Sequence, residues 1–135
     1  MNEEQTKRLA EAAESLLQAS TALDDARDAV NDRRFDSETE RDRTTAATQM
    51  ANRLENAGKR IDDAIHKGTI AAAALARPGA FQRYKDGAAA VQEGRGLGRA
   101  APEQDGAANK RASGQQALAR LEQALATAAT IVFGE

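Results

Sequence analysis

The sequence predicts an all-α protein: an antiparallel hairpin of two long helices with an alanine-rich, coiled-coil-like seam, plus a C-terminal helix, closing into a three- or four-helix bundle. Three observations predict it. Alanine occurs 32 times in 135 residues. Apolar residues recur at alternating spacings of three and four over two long stretches, and Pro78 and the glycine-rich 94–106 fall after the second of them. Alanine is the strongest helix former because it surrenders no side-chain entropy, so the composition favours helices strongly. It also supplies little bulk. Leu, Ile, Val and Phe together number only 20, which predicts thin helices and a chain poor in core.

The first helix is predicted over 3–34. Leu9, Leu16, Leu23 and Val30 recur every seven residues, and Ala12, Ala19 and Ala26 follow the first three at three residues' distance; this is an a/d seam sustained over nearly four heptads. Asn2 is placed to cap the helix with Gln5 three residues on, and Glu3 and Glu4 sit where the helix dipole favours negative charge. Around Phe35 the pattern breaks, and Ser37 with Glu40 predicts a capping box for a second helix over 38–77. Its seam runs through Ala47, Met50, Leu54, Ala57, Ile61, Ala64, Gly68, Ala71 and Leu75, until Pro78 ends it.

Folding the second helix back on the first, in a register where facing residue numbers add to 73, sets Leu9 against Ala64, Ala12 against Ile61, Leu16 against Ala57 and Ala19 against Leu54. Leu23 meets Met50, the one pairing of large against large. Small against large along a seam lets two helices interdigitate closely. In this register the second helix outruns the first, so Ile70 and Leu75 need another cover. Phe81, Tyr84, Ala88 and Val91 keep 3,4,3 spacing and predict a short helix over 79–93, opened by Pro78. The glycine-rich 94–106 predicts a flexible connector, with Asp105 placed to cap the helix that follows. That last helix, 107–133, carries a broad apolar stripe, Leu118, Leu121, Leu125, Ala128 and Val132, suited to a groove between two others. Residues 1–135 are expected to make one helical domain.

The glycines at 94, 96 and 98 are followed by neither Lys-Ser nor Lys-Thr and preceded by no β-branched strand, so neither the Walker pattern nor the dinucleotide fingerprint fits. The chain contains no cysteine and one histidine, His66. Thiolate zinc sites and cysteine nucleophiles are thereby excluded, and one histidine beside Asp62 and Asp63 falls short of a di-iron bundle, which needs two such motifs. No catalytic residues, cofactor or metal are predicted, and the chain is read as not an enzyme. A net charge of −2 gives no global pull toward nucleic acid or anionic lipid. The stretch TIAAAALA at 69–76 falls far short of the roughly 20 residues that cross a bilayer, and the polar start lacks a signal peptide's apolar stretch, so no membrane role and a cytoplasmic or virion location are expected.

The function these features predict is that of a non-enzymatic structural or adaptor protein, assembling with itself or with a larger protein partner. Ile70, Leu75, Phe81, Tyr84, Ile131, Val132 and Phe133 are the candidate partner-binding residues. The abundance of Ala, Arg, Gly and Asp suits a GC-rich bacterial or phage genome, hence a virion component or part of a secretion or conjugation apparatus. The alternative is a small regulatory or nucleic-acid-associated protein using Arg53, Arg60 and Lys67, spaced seven apart beside the second seam. Scarcity of aromatic residues argues against base stacking.

Overall fold

Asn2 opens the first helix as expected: its side chain accepts from the Gln5 backbone N–H while the Gln5 side chain accepts from Asn2 N–H, closing a capping box. The computed structural model describes residues 1–134. They form α1 (Glu3–Val30), α2 (Glu40–Ala74), α3 (Ala80–Ala100) and α4 (Ala107–Phe133), with 3₁₀ turns at Arg33–Asp36 and Ala101–Glu103 and no strand among the described residues. The result is a four-helix bundle.

The first seam lies where its periodicity places it. Ala12, Leu16, Ala19, Leu23 and Ala26 are buried on α1, and Met50, Leu54, Ala57, Ile61 and Ala64 on α2; Leu9, two turns from the start of α1, is half-buried. The register differs. Gln5 Nε2 donates to the Ala74 carbonyl at 2.9 Å and Arg60 reaches Gln18 Oε1 at 3.5 Å, pairs whose numbers add to 79 and 78 rather than 73. The helices are thus offset by five to six residues, about one and a half turns, from the predicted alignment, and Leu16 does not sit over Ala57. The 73 register optimised two helices alone, whereas the large residues of α2 serve other neighbours as well. Met50 fills the space left by Gly114 on α4, and Leu54 that left by Gly98 on α3. The offset also removes the expected overhang, because α1 now reaches the end of α2.

α2 ends before Pro78 in a Schellman motif: Arg77 N–H reaches the Ala72 carbonyl and Ala76 N–H the Ala73 carbonyl, with Ala76 left-handed at φ 54°. Two predicted caps are replaced. Thr39, not Ser37, precedes α2, and no Ser37–Glu40 box forms; the Ser37 and Thr39 hydroxyls both donate to the Asp42 carboxylate, holding it below the ordinary carboxylate range. Gly106, not Asp105, precedes α4.

The flexible connector predicted over 94–106 is a misassignment. Residues 94–100 continue α3 without a break, and a 3₁₀ turn follows, so the predicted short helix of 79–93 is a full element. Gly87, Gly94 and Gly98 are buried. A methyl group on Gly94 would sit 2.9 Å from both Leu121 Cγ and Cδ2 and 3.3 Å from the Ala117 carbonyl oxygen. Here the missing side chain admits α4, and backbone freedom is not what is used. Gly96, on the same helix, has nothing within 4 Å.

Consecutive helices run antiparallel around the bundle, and α4 closes it by also touching α1. α2 and α4 lie parallel across the short diagonal: Gly114 meets Met50, and Gly68 meets Ile131 and Val132, at nearly constant sequence offset. α1 and α3 occupy the far corners and do not touch. Arg77 binds the Ile131 and Val132 carbonyls, satisfying the last turn of α4 from the α2–α3 turn. Arg111, stacked 4.9 Å over the Phe35 ring, donates to the Asp32 carbonyl at 2.7 Å and ties the start of α4 to the α1–α2 turn.

The two glycines of α3 are expected to respond oppositely to a methyl group. Gly96→Ala should raise stability by about 0.5–1 kcal/mol through helix propensity, and Gly94→Ala should lower it by about 1–3 kcal/mol by overpacking against Leu121. Urea midpoints of the two variants measure this; near-zero shifts in both would indicate a loose linker.

Candidate interaction surface

Between α1 and α4 runs an open groove of about 470 Å³, lined by Ala13, Leu16, Leu17 and Ser20 on one side and Leu125, Ala129 and Phe133 on the other. Helix phase produces it. Leu16 faces the core and is buried, so its neighbour Leu17, about 100° further round, projects outward and is 68% exposed. The same phase on α4 buries Val132 and leaves Phe133 64% exposed. Ala13, Ser20 and Ala129 are too short to fill the space between these projections. One turn along, Arg27 joins Asp24 at 2.5 Å to Glu122 at 3.2 Å and bridges the helices.

Of the residues predicted to meet a partner, Phe133, Phe81 and Ile70 are exposed, while Leu75 and Tyr84 are half-buried. Ile131 and Val132 are corrected: both are buried in the bundle, where Gly68 lacks the side chain that would hold them off and a methyl there would lie 3.1 and 3.0 Å from their Cγ2 atoms. Three consecutive apolar residues at a helix end cannot all share one face. Only Phe133 points out. Leu17 and Leu125, which complete the groove, went unnominated; the signal for Leu17 is the Leu-Leu pair in α1, of which a seam can bury only one.

Three polar clusters lie elsewhere on the surface. Glu55 Oε1 accepts from Arg95 Nε at 3.1 Å and from Arg99 Nη2 at 3.2 Å, joining α2 to α3. Arg95 lies flat on α2 because Gly58 has no Cβ to obstruct its stem. Its guanidinium, together with that of Arg99, holds the Glu55 carboxyl below the ordinary carboxylate range. His66 Nδ1 donates to the Asp62 carbonyl at 2.8 Å, so in the neutral ring Nε2 accepts from the Tyr84 hydroxyl at 3.1 Å. Along the third, Lys67 pairs with Asp63 at 3.4 Å, Arg60 with Gln18, and Arg53 lines a shallow groove with Asp25, Asp28 and Asp32 of the α1 side. Among the described residues no group of three or more His, Asp or Glu side chains converges as a metal site would require, and no helix is long and apolar enough to cross a membrane.

No protein-family model matches the chain, and neither a curated protein nor a solved structure matches it.

Because the arginines depress the Glu55 carboxyl, the stabilisation from this cluster is present at neutral pH and is lost as pH falls through the folded-state value. Glu55→Gln should therefore lower stability by about 1–2 kcal/mol at pH 7. The gap to the wild type should close on acidification below the ordinary carboxylate range, as read from thermal melts across pH; a gap unchanged in acid would mean that the charge plays no part.

Proposed function

We propose that this chain is a non-enzymatic helical adaptor or structural component that assembles with itself or with a larger protein partner. The observation that carries the reading is the α1–α4 groove. Single exposed apolar side chains are ordinary on a soluble protein, but here Leu17 and Phe133 flank one concave surface lined otherwise by Ala13, Leu16, Ser20, Leu125 and Ala129. An apolar concavity left open by an otherwise closed bundle fits a protein surface with a complementary ridge. The large apolar residues that the composition lacks internally are in part spent here, outside the core. The richness in Ala, Arg, Gly and Asp supports placing that assembly in a bacterial or phage particle, or in a secretion or conjugation apparatus.

A photo-crosslinking residue at position 17, on the groove wall, should trap protein adducts in the source cell, whereas the same residue at Asn52, exposed on α2, should not. Equal labelling at both positions, or none at 17, would refute an adaptor that works through this groove. Leu17 is exposed enough that the substitution should shift stability by no more than about 0.5 kcal/mol.

A further inference from the structure

We infer that the α1–α4 groove receives the Phe81 end of α3 from a second copy of this chain, in a head-to-tail contact. This rests on the adaptor reading and names its partner. The first ground is charge. α1 carries seven acidic and three basic residues, while α3 carries four basic and two acidic. The two helices sit at opposite corners of the bundle and do not touch, so one corner of the molecule is acidic and the other basic. The groove lies on the acidic side, with Glu14 next to Ala13 on its α1 wall, and it is bounded one turn along by Asp24 and Glu122, two carboxylates that share the single Arg27.

The basic corner carries the matching projection. Phe81 is 71% exposed, the most exposed of the large hydrophobics among the described residues apart from Met1, and stands in the first turn of α3 with Lys85 Nζ 5.3 Å from its ring centroid. An aromatic ring with a lysine ammonium against it complements an apolar groove whose edge carries net negative charge. Size agrees: a cavity of about 150 Å³ holds a benzene ring, and the groove offers about 470 Å³, room for the ring and part of the helical turn that presents it.

Pairing two grooves face to face would set one acidic α1 against another, so a symmetric contact is disfavoured by the same charges that favour the asymmetric one. Nor can a chain fill its own groove, because Phe81 lies at the opposite corner. Such a contact uses two different surfaces on each copy, and it propagates until a ring closes or a filament extends.

Complementation tests this directly. Wild-type mass by sedimentation should rise above 14.3 kDa between about 1 µM and about 1 mM, and fall back as salt is raised. Leu17→Glu disables the groove and Phe81→Glu the projection; each should weaken association at least tenfold (~1.4 kcal/mol), with circular dichroism melts unchanged. Mixed in equal amounts, the two variants retain one intact groove and one intact projection between them. They should form a complex of two chains that grows no further. If the wild type associates but neither variant weakens it, or the mixture stays monomeric, this contact is wrong while self-assembly stands. If the wild type remains at 14.3 kDa throughout, a second copy is excluded as occupant, and adducts trapped at position 17 then decide whether another protein fills the groove.

Discussion

The bundle depends on how closely α2 and α4 approach across its short diagonal. Gly114 leaves space that Met50 fills, and Gly68 leaves space for Ile131 and Val132; a side chain at either glycine would have to displace these residues. Interaxial separation follows from side-chain size at the contact, and in this chain more than half the buried apolar side chains named among the described residues are alanine. With few large residues, dispersion contacts accumulate only if backbones come near one another. A small-residue core is therefore workable, provided that the helices run straight and close.

That closeness explains which parts of the fold were legible in sequence. The α1 and α2 seams were legible because the 3,4 spacing of their apolar residues runs unbroken over several heptads in each. Their register was not, because it depends on α3 and α4, whose demands on Met50 and Leu54 no two-helix alignment contains. The glycine stretch was misread for a different reason. Glycine serves either to free the backbone or to remove a Cβ, and composition alone cannot distinguish these uses. Its neighbours can: Gly87, Val91, Gly94, Gly98 and Ala101 keep 4,3,4,3 spacing, and all five are buried. The helical signal was present, written in residues usually taken as breakers. At the surface, the tail's apolar character was visible while its division into two inward residues and one outward residue needed the phase of α4.

Charge is arranged to hold the corners rather than the centre. Glu55 with Arg95 and Arg99 links α2 to α3, Arg27 with Asp24 and Glu122 links α1 to α4, and Arg120 with Glu93 at 3.0 Å links α3 to α4. The exposed Arg27 and Arg120 pairs contribute little individually, about 0–1 kcal/mol, and the half-buried Glu55 cluster somewhat more. Their value lies in selecting which helix neighbours which, since alanine faces are nearly interchangeable and would otherwise tolerate several arrangements. The Arg77 and Arg111 contacts with backbone carbonyls add the same selectivity at the two ends, where the turns fix connection order.

The groove follows from this geometry. When α2 and α4 close the short diagonal, α3 settles against both through Gly87, Gly94 and Gly98, whereas α1 has no glycine to admit α4 in the same way. It nests mainly on α2, so its contact with α4 is the loosest side of the bundle. A protein selected only to fold would be expected to fill that side by exchanging Ala13, Ser20 or Ala129 for larger residues, each buried methylene contributing about 0.8 kcal/mol. Instead three of the lining residues are small, and Leu17 and Phe133 are large and exposed. That distribution leaves the isolated chain with less buried area than larger residues there would give, and raises the contact area offered to another surface.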